Sequence, residues 1–401
     1  MLRSPRPSSL VCRFRLRARV QAGRLPAVQI LRALAALSVV IGHALSESRW
    51  FGAAGGYGPI VNMHQWTAGV DLFFVLSGFI MMWTFGHRFG EPRAWREFLR
   101  RRLARVLPLY WIFTALMVLA TLLFTRRLES AAFTPEHALL SFLFIPHIAP
   151  HGGIHPILAL GWTLMYEMFF YLSFALALCL RRQMGLLLLA AGFLLVHGLG
   201  VHASLLPEAL RLFWGDTVLF EFLIGIGFYF LQQDGKLAFD RLVGVLLFCA
   251  VASAAAGLAG QWSSNRVFHF GLPALAVFAL FYYLLPIVRA PFWLALVLVG
   301  EASYTLYLSH PFLLELAKIP IDPLPVTAGC KIALYLAAGL LAAVLFSVAF
   351  FSLLERRLTQ RLTRWAVGRA PLGWHLPAIL HSATRWTRKL AVKARLGLRS
   401  G

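Results

Sequence analysis

An arginine and a histidine lie eleven positions apart in the first apolar segment of the chain, at Arg32 and His43. Eleven helical residues turn through about 1100°, roughly 20° past three full turns, and rise about 16 Å, so both side chains are expected on one helix face. Arg32 alone could reach the lipid headgroups, and His43 alone could make an interhelical hydrogen bond. Together they favour a reaction path through a membrane, in which His43 exchanges a proton.

Two carboxylates occupy other apolar segments. Asp71 lies near the start of GVDLFFVLSGFI, and Glu167 lies about two turns into GWTLMYEMFFY, with no evident partner on its own helix. Burying a charge in a bilayer costs at least about 2.5–3.5 kcal/mol, so a lone carboxylate is expected to face a cavity or a cation. Asp71 could orient His43 or Arg32, or cap its helix, and either Glu167 or Asp71 could hold an imidazole as a triad carboxylate does.

A second intramembrane imidazole, His310, lies in the segment SYTLYLSHP. The proline that follows it kinks a helix and frees a carbonyl group. His310 is therefore either a candidate site residue or a side chain that only packs and makes an interhelical hydrogen bond.

Four arginines cluster in FLRRRLARVLPLYW, which we expect to form a cytoplasmic turn at the membrane boundary: Arg100, Arg101, Arg102 and Arg105. One interpretation is topological anchoring by positive charge. The other is a site for a phosphorylated ligand, because guanidinium groups bind phosphate oxygens in pairs.

The composition requires a membrane environment. Of 401 residues, 59% are hydrophobic and 13% are charged, whereas a soluble domain is about 25% charged. This excludes a water-soluble enzyme, a disordered chain and a coiled coil. The net charge of +22 is expected to mark an arginine-rich cytoplasmic face against lipid, not a nucleic-acid partner.

The fold class that follows is all-α, a polytopic membrane protein of about ten helices. The expected spans are Ala27–Ser46, Ala68–Phe85, Leu107–Thr125, Leu158–Leu180, Met184–Leu199, Leu212–Leu231, Leu242–Gly260, Val267–Pro286, Phe292–Leu316 and Ala328–Leu354. With both termini inside, thirty basic residues are cytoplasmic and seven lie opposite, which predicts N-in and C-in. We expect a basic arm (1–26), a transmembrane domain (27–354) and a basic amphipathic tail (355–401).

Intramembrane charges also suit a proton-coupled secondary transporter or flippase, with His43, Asp71 and Glu167 as a relay. Inverted sequence repeats would support that function, and none is evident. A purely structural scaffold does not explain the buried charges.

Five of these segments together resemble the acyltransferase-3 family of membrane acyltransferases: the Arg32–His43 spacing, GVDLFFVLSGFIM, FLRRRLARVLPLYW, GWTLMYEMFFY and SYTLYLSHP. They run in the family's order across residues 26–357 and are similar to the subgroup that acts on bacterial exopolysaccharide. The resemblance implies ten membrane helices, acyl-CoA (usually acetyl-CoA) as the cytoplasmic donor, and a sugar hydroxyl as the acceptor.

The resemblance thus predicts an O-acyltransferase of the bacterial inner membrane that needs no metal. The acceptor would be a glycan or a lipid-linked oligosaccharide. No soluble SGNH-type domain follows the last span, so a partner protein is expected for transfer to periplasmic polymers. The predicted site residues are His43, Glu167 and Asp71 for catalysis, Arg32, Arg100, Arg101, Arg102 and Arg105 for the donor, and Trp162, Tyr166 and His310 for substrate binding.

Overall fold

The computed structural model describes residues 25–52, 68–123, 134–232, 239–258, 266–284 and 291–367. Within these ranges the regular structure is entirely helical, which confirms the all-α class for them. The helices are α1 (Leu25–Glu47), α2 (Arg49–Gly52), α3 (Ala68–Phe85), α4 (Ala94–Leu123), α5 (Pro135–Phe142), α6 (Trp162–Leu178), α7 (Arg182–His202), α8 (Glu208–Gly215), α9 (Leu219–Gln232), α10 (Phe239–Leu258), α11 (Leu272–Leu284), α12 (Pro291–Glu301), α13 (Ser303–Ile321), α14 (Ala328–Phe350) and α15 (Arg356–Val367).

In the part of the chain that the structure describes, six helical runs are long and apolar enough to cross a bilayer: α1 with α2, α3, α4, α6, α7, and α14 continued into α15. Their outer faces carry large exposed apolar side chains; on α7 these include Leu187, Leu188, Leu194 and Leu195. Contiguous apolar surface of this kind is stable against lipid tails and not against water. The protein is therefore a membrane protein, whereas the number of ten spans and their orientation stay predictions.

Helix α3 is the most buried of these six runs and packs against α1, α9 and α11. Its approach to α9 is close because glycines face backbone on both helices. A β-carbon on Gly78 would lie 2.0 Å from the carbonyl oxygen of Phe222, and one on Gly225 would lie 1.9 Å from that of Val75. Small residues at such contacts let two membrane helices touch backbone to backbone.

The arginine cluster does not lie in a turn, so that part of the sequence-based prediction was wrong. Residues 94–123 form one continuous helix, α4, and the cluster occupies its second to fourth turns. Pro108 lies inside this helix without ending it. The cluster therefore lies on the same continuous helix as the apolar residues that are expected to enter the membrane.

The last membrane helix also extends further than predicted. Instead of ending at Leu354, it passes through a π-helical turn at Phe351–Glu355 and continues as α15 to Val367. The start of the predicted tail is thus part of the helical bundle. Its later tryptophans, Trp374 and Trp386, and residues 1–24 of the predicted basic arm lie outside the described residues.

Candidate active site

A cavity of about 610 Å³ lies between α1, α3, α4, α6, α13 and α15. It follows α3 from Val70 to Phe85, which is about 22 Å along the helix axis. Thr163, at the start of α6, lines it near the Val70 end, and Arg88 lines it near the Phe85 end. The cavity therefore follows almost the whole length of α3.

The walls of this cavity carry more basic than acidic side chains. The lining includes six arginines and four glutamates, namely Arg32, Arg88, Arg101, Arg102, Arg105, Arg356, Glu97, Glu167, Glu301 and Glu355. Four of the five arginines predicted to hold the donor are in this set. The exception, Arg100, is exposed and donates from Nη1 to the carbonyl oxygen of Ala366 at 3.1 Å, so it joins α4 to α15.

Two of the six arginines are neutralised locally. Glu97 forms ion pairs with Arg88 at 2.5 Å and with Arg101 at 2.6 Å. Arg88 also pairs with Glu91 at 2.8 Å, and the hydrogen bonds to Glu97 and Glu91 raise the pKa of Arg88. These two arginines are therefore engaged, and the cationic excess comes from the deeper ones.

Arg102 is the deep arginine whose environment most directly indicates a ligand. Its Nε atom is buried and has no hydrogen-bond partner among the described residues. Its guanidinium carbon lies 5.9 Å from the ring centroids of both Phe98 and Tyr171. Buried donors are nearly always satisfied in folded proteins, so a donor left open beside a cavity favours an acceptor group that binds there.

Arg32 reaches the same cavity from α1. Its Nη2 donates to the hydroxyl oxygen of Ser303, the first residue of α13, at 2.9 Å. This fixes one branch of the guanidinium and leaves the rest of the group on the cavity wall. Arg32 is thus a positioned cation and not a side chain that extends to the lipid headgroups.

Glu167 lines the middle of the cavity and, contrary to the sequence-based expectation, has a partner on its own helix. Its Oε1 accepts hydrogen bonds from the hydroxyl of Tyr171, four residues later on α6, and from that of Ser77 at 3.4 Å. The i,i+4 spacing was the available signal, since such residues are neighbours on a helix surface. Neither histidine of the predicted site is hydrogen-bonded to this carboxylate.

The two predicted intramembrane histidines meet. The ring centroids of His43 on α1 and His310 on α13 are 5.1 Å apart, with the planes inclined at 56°. His310 is fully buried, and its Nδ1 lies 3.1 Å from the carbonyl oxygen of Leu306. A carbonyl can only accept, so Nδ1 carries the hydrogen and Nε2 keeps a lone pair. That Nε2 has no partner among the described residues.

Tyr307 stands between the histidine pair and the cavity. It lines the cavity, its ring centroid is 6.2 Å from that of His310, and its hydroxyl lies 2.9 Å from Thr163 Oγ1. The histidines themselves do not line this cavity. The phenol ring therefore lies on the cavity wall and is also a neighbour of His310.

Asp71 is engaged elsewhere. Its carboxylate is fully buried and accepts a bidentate pair from Arg266, at 2.8 and 2.9 Å. It makes no hydrogen bond to His43, so this structure shows no contact through which Asp71 would orient that imidazole. The sequence missed Arg266 because 195 residues separate the partners and no local spacing connects them.

The aromatic residues predicted for substrate binding lie beside this ion pair. The guanidinium carbon of Arg266 is 5.3 Å from the Trp162 ring centroid, and Trp162 meets Tyr166 edge-on at 5.9 Å. Tyr166 is buried, stacks on Phe213 at 4.1 Å and donates to its carbonyl oxygen at 2.9 Å. Tyr166 is thus a packed residue, whereas Trp162 remains half-buried next to the cavity-lining Thr163.

One further carboxylate was placed in the tail by the sequence-based prediction and lies in the site. Glu355, at the end of the π-helical turn, is buried, lines the cavity and accepts from the hydroxyl of Thr305 at 2.5 Å. In a sequence, a single charge just past an apolar run indicates the end of a membrane span. Only the continuation of the helix shows that Glu355 lies in the site.

Within the described ranges, no group of three or more His, Cys, Asp or Glu residues is placed to hold a metal ion.

A family model described as an acyltransferase domain matches residues 25–352, which includes α1 to α14 and therefore most of the cavity wall. The chain belongs to the acyltransferase-3 family. The resemblance inferred from the sequence motifs is thereby confirmed, and a membrane acyltransferase is the class of protein that contains this cavity.

Two curated relatives are similar to this acyltransferase. The exopolysaccharide production protein ExoZ of Rhizobium meliloti (strain 1021) is 32% identical over 313 residues, which cover 76% of this chain and 94% of ExoZ. The putative peptidoglycan O-acetyltransferase YrhL of Bacillus subtilis (strain 168) is 29% identical over 236 residues, 54% of this chain and 35% of YrhL. No solved structure matches the chain significantly.

Proposed function

We propose that this acyltransferase moves an acyl group, an acetyl group in the simplest case, from acyl-CoA to a sugar hydroxyl of an exopolysaccharide or cell-surface glycan. The observation that supports this most directly is the arginine-lined cavity with the open donor of Arg102. A thioester of CoA has phosphates at one end and the reactive carbonyl at the other. Such a ligand suits a long space that is cationic at one end.

The donor phosphates would bind the guanidinium groups of Arg102 and Arg105, and Arg32 would lie further along the same cavity. The flexible pantetheine arm would then extend past Glu167 toward Tyr307. Rotation of the Tyr307 side chain would bring the thioester carbonyl to the histidine pair. With the predicted topology, the donor enters from the cytoplasmic side of the bacterial inner membrane.

In the reaction, neutral His43 would take the proton of the acceptor hydroxyl as its oxygen attacks the thioester carbonyl carbon. The new C–O bond forms, the C–S bond breaks, and the proton passes from the imidazolium to the CoA thiolate. Alternatively, His43 attacks first, and the acyl-imidazole then transfers the group to the hydroxyl. In either route the open Nε2 of His310 can accept a proton from the neighbouring ring.

The acceptor is proposed from the relatives. ExoZ is named for exopolysaccharide production and YrhL for peptidoglycan O-acetylation, and both names concern glycans. Trp162 offers a half-buried aromatic face at the Thr163 end of the cavity, and aromatic rings with a polar edge suit sugar rings. A lipid-linked oligosaccharide could present its hydroxyl there, and a partner protein could complete transfer to longer polymers.

The test is transfer of radiolabelled acetyl from acetyl-CoA by the purified protein in lipid nanodiscs, with and without exopolysaccharide fragments. We expect label on the glycan with the wild type and none with His43→Gln, while both proteins bind CoA. Absence of CoA binding and of transfer in the wild type would contradict the proposal. Glycan movement across vesicles without acyl transfer would instead favour a flippase.

A further inference from the structure

Helix α15 presents one of its faces to the cavity. Arg356, Thr359, Gln360 and Thr363 line the wall, and their spacing of three and four residues places them on one side of a helix. Arg357, Arg361 and Arg364 are exposed on the other side. Because α15 begins after residue 352, it lies beyond the stretch that the family model matches. These side chains therefore line the site from outside the region that defines the family.

The helix is held in this position by contacts that do not involve a ligand. It packs along α4, where Arg100 bonds to the carbonyl oxygen of Ala366 at 3.1 Å, and Thr363 is buried. Glu355, the residue before α15, is fixed by Thr305. Helix α15 is thus a wall of the cavity and stands beside the helix that carries the other donor arginines.

The charge on this wall is only partly balanced. Arg356, Arg32 and Arg105 share this part of the lining with the carboxylates of Glu301 and Glu355, so three guanidinium groups face two carboxylates. The hydroxyl of Thr359 and the amide of Gln360 add neutral hydrogen-bonding groups one turn further on. A guanidinium beside hydroxyl and amide groups suits a phosphate attached to a sugar.

We propose that the α15 face binds the ribose 3′-phosphate of the CoA donor, with Arg356 as its main contact. This rests on the proposed function. CoA carries two separate phosphate groups at the end remote from the thioester, the diphosphate and the 3′-phosphate. If the thioester lies near Tyr307, the nucleotide lies at the α15 end, where the α4 arginines can take the diphosphate and Arg356 the second group.

The experiment compares CoA with 3′-dephospho-CoA, by calorimetry on the full-length protein in a neutral detergent. The wild type is expected to prefer CoA by about tenfold, the usual effect of one charge-assisted contact. Arg356→Gln should lose that preference by weakening CoA alone, and Arg356→Lys should recover part of it. Arg357→Gln removes the same charge from the neighbouring exposed position and should keep the full preference.

The outcomes separate the inference from the function on which it rests. An unchanged preference in Arg356→Gln, with CoA still bound, would overturn the role of α15 and leave the donor intact. Equal losses in Arg356→Gln and Arg357→Gln would show a general effect of surface charge, which also overturns it. A wild type that binds neither ligand would overturn the proposed function itself.

Discussion

The contact between His43 and His310 would allow the two imidazoles to share proton transfer in the proposed reaction. The hydrogen bond of His310 to the Leu306 carbonyl fixes its tautomer, and that leaves one ring nitrogen as an acceptor beside His43. A pair of this kind can pass a proton between rings without exposing either to water. His43 is therefore better described as half of a unit than as an isolated base.

We predict that His310→Gln lowers the turnover number by about 10²-fold or more, within the range of general-base effects, and leaves CoA affinity unchanged. CoA affinity is expected to stay unchanged because neither histidine lines the cavity. Turnover and CoA binding measured on the same preparation test this. A variant that transfers at the normal rate, or that loses CoA affinity, would show that the two rings do not act as a unit.

Glu167 and Tyr171 allow a matched pair of substitutions on one helix. Glu167→Gln removes the charge but keeps an oxygen that can accept from Tyr171 and Ser77, so the fold should survive and acyl transfer should fall strongly. Tyr171→Phe removes only one donor to the carboxylate. We expect Tyr171→Phe to lose less acyl-transfer activity than Glu167→Gln. Equal activity of the wild type and Glu167→Gln would show that Glu167 has only a structural role.

At this scale the sequence predicted what local spacing determines. It placed Arg32 and His43 on one helix, and α1 contains both. It could not predict the pairing of Asp71 with Arg266 or of Arg32 with Ser303, because those partners meet only when distant helices pack. Composition identifies a buried charge, but the fold decides which charge lies beside it.

Among the elements, the contact of α3 with α9 depends on the absence of side chains. Gly225→Ala would put a methyl group 1.9 Å from the Val75 carbonyl oxygen and 2.8 Å from the Phe79 nitrogen, so the helices must separate. We predict a loss of about 1–3 kcal/mol, typical of overpacking. Thermal unfolding in detergent measures it.

The control lies two residues along the same helix. Gly227 is exposed, and a β-carbon added there would have nothing within 4 Å, so Gly227→Ala should be neutral or stabilise α9 by up to about 1 kcal/mol. Similar losses of stability at Gly225 and Gly227 would show that the conformational freedom of glycine causes the loss, and not the close approach of α3 to α9.

The short helix α5 contains a histidine contact that predicts a dependence on pH. His137 Nδ1 lies 2.7 Å from His147 Nε2, and burial, with His147 and His155 nearby, lowers the pKa of His137 to about 4. An unfolded histidine titrates at about 6.5. The unfolded chain therefore binds the proton first, and stability is lost as the pH falls from about 6.5 toward 4.

We expect the melting temperature to drop between pH 7.5 and pH 5, and the drop to be smaller in His137→Gln. His202→Gln, which changes an exposed histidine, serves as the control and should keep the wild-type pH dependence. An identical drop in wild type and His137→Gln would assign the effect to other groups.

At the scale of the whole molecule, the cavity and the predicted topology together predict the side of the membrane on which the C-terminus lies. The cationic end of the cavity is formed by α4 and α15, so the chain terminus that follows α15 should lie on the side from which the donor enters. We predict that a reporter fused after Gly401 is cytoplasmic. A periplasmic reporter would contradict both the N-in and C-in orientation and a cytoplasmic donor.

The sequence predicted the fold class and family from composition and motif order, and it missed where the last helix ends. A hydropathy pattern changes sign at Glu355, but the backbone hydrogen bonds continue through it. Side-chain polarity and helix continuity are separate properties, and only the first can be seen along a sequence.

The π-helical turn at Phe351–Glu355 has an evolutionary consequence. A π turn is equivalent to one residue inserted into an α-helix, and it shifts the rotational phase of everything that follows by about 100°. Deleting one residue there would return the helix to its uninterrupted phase and turn the Arg356 face away from the cavity, without altering a single side chain of α15. Relatives could gain or lose this wall by a one-codon insertion or deletion, so the length of this turn, more than the residues after it, would decide whether α15 takes part in the site.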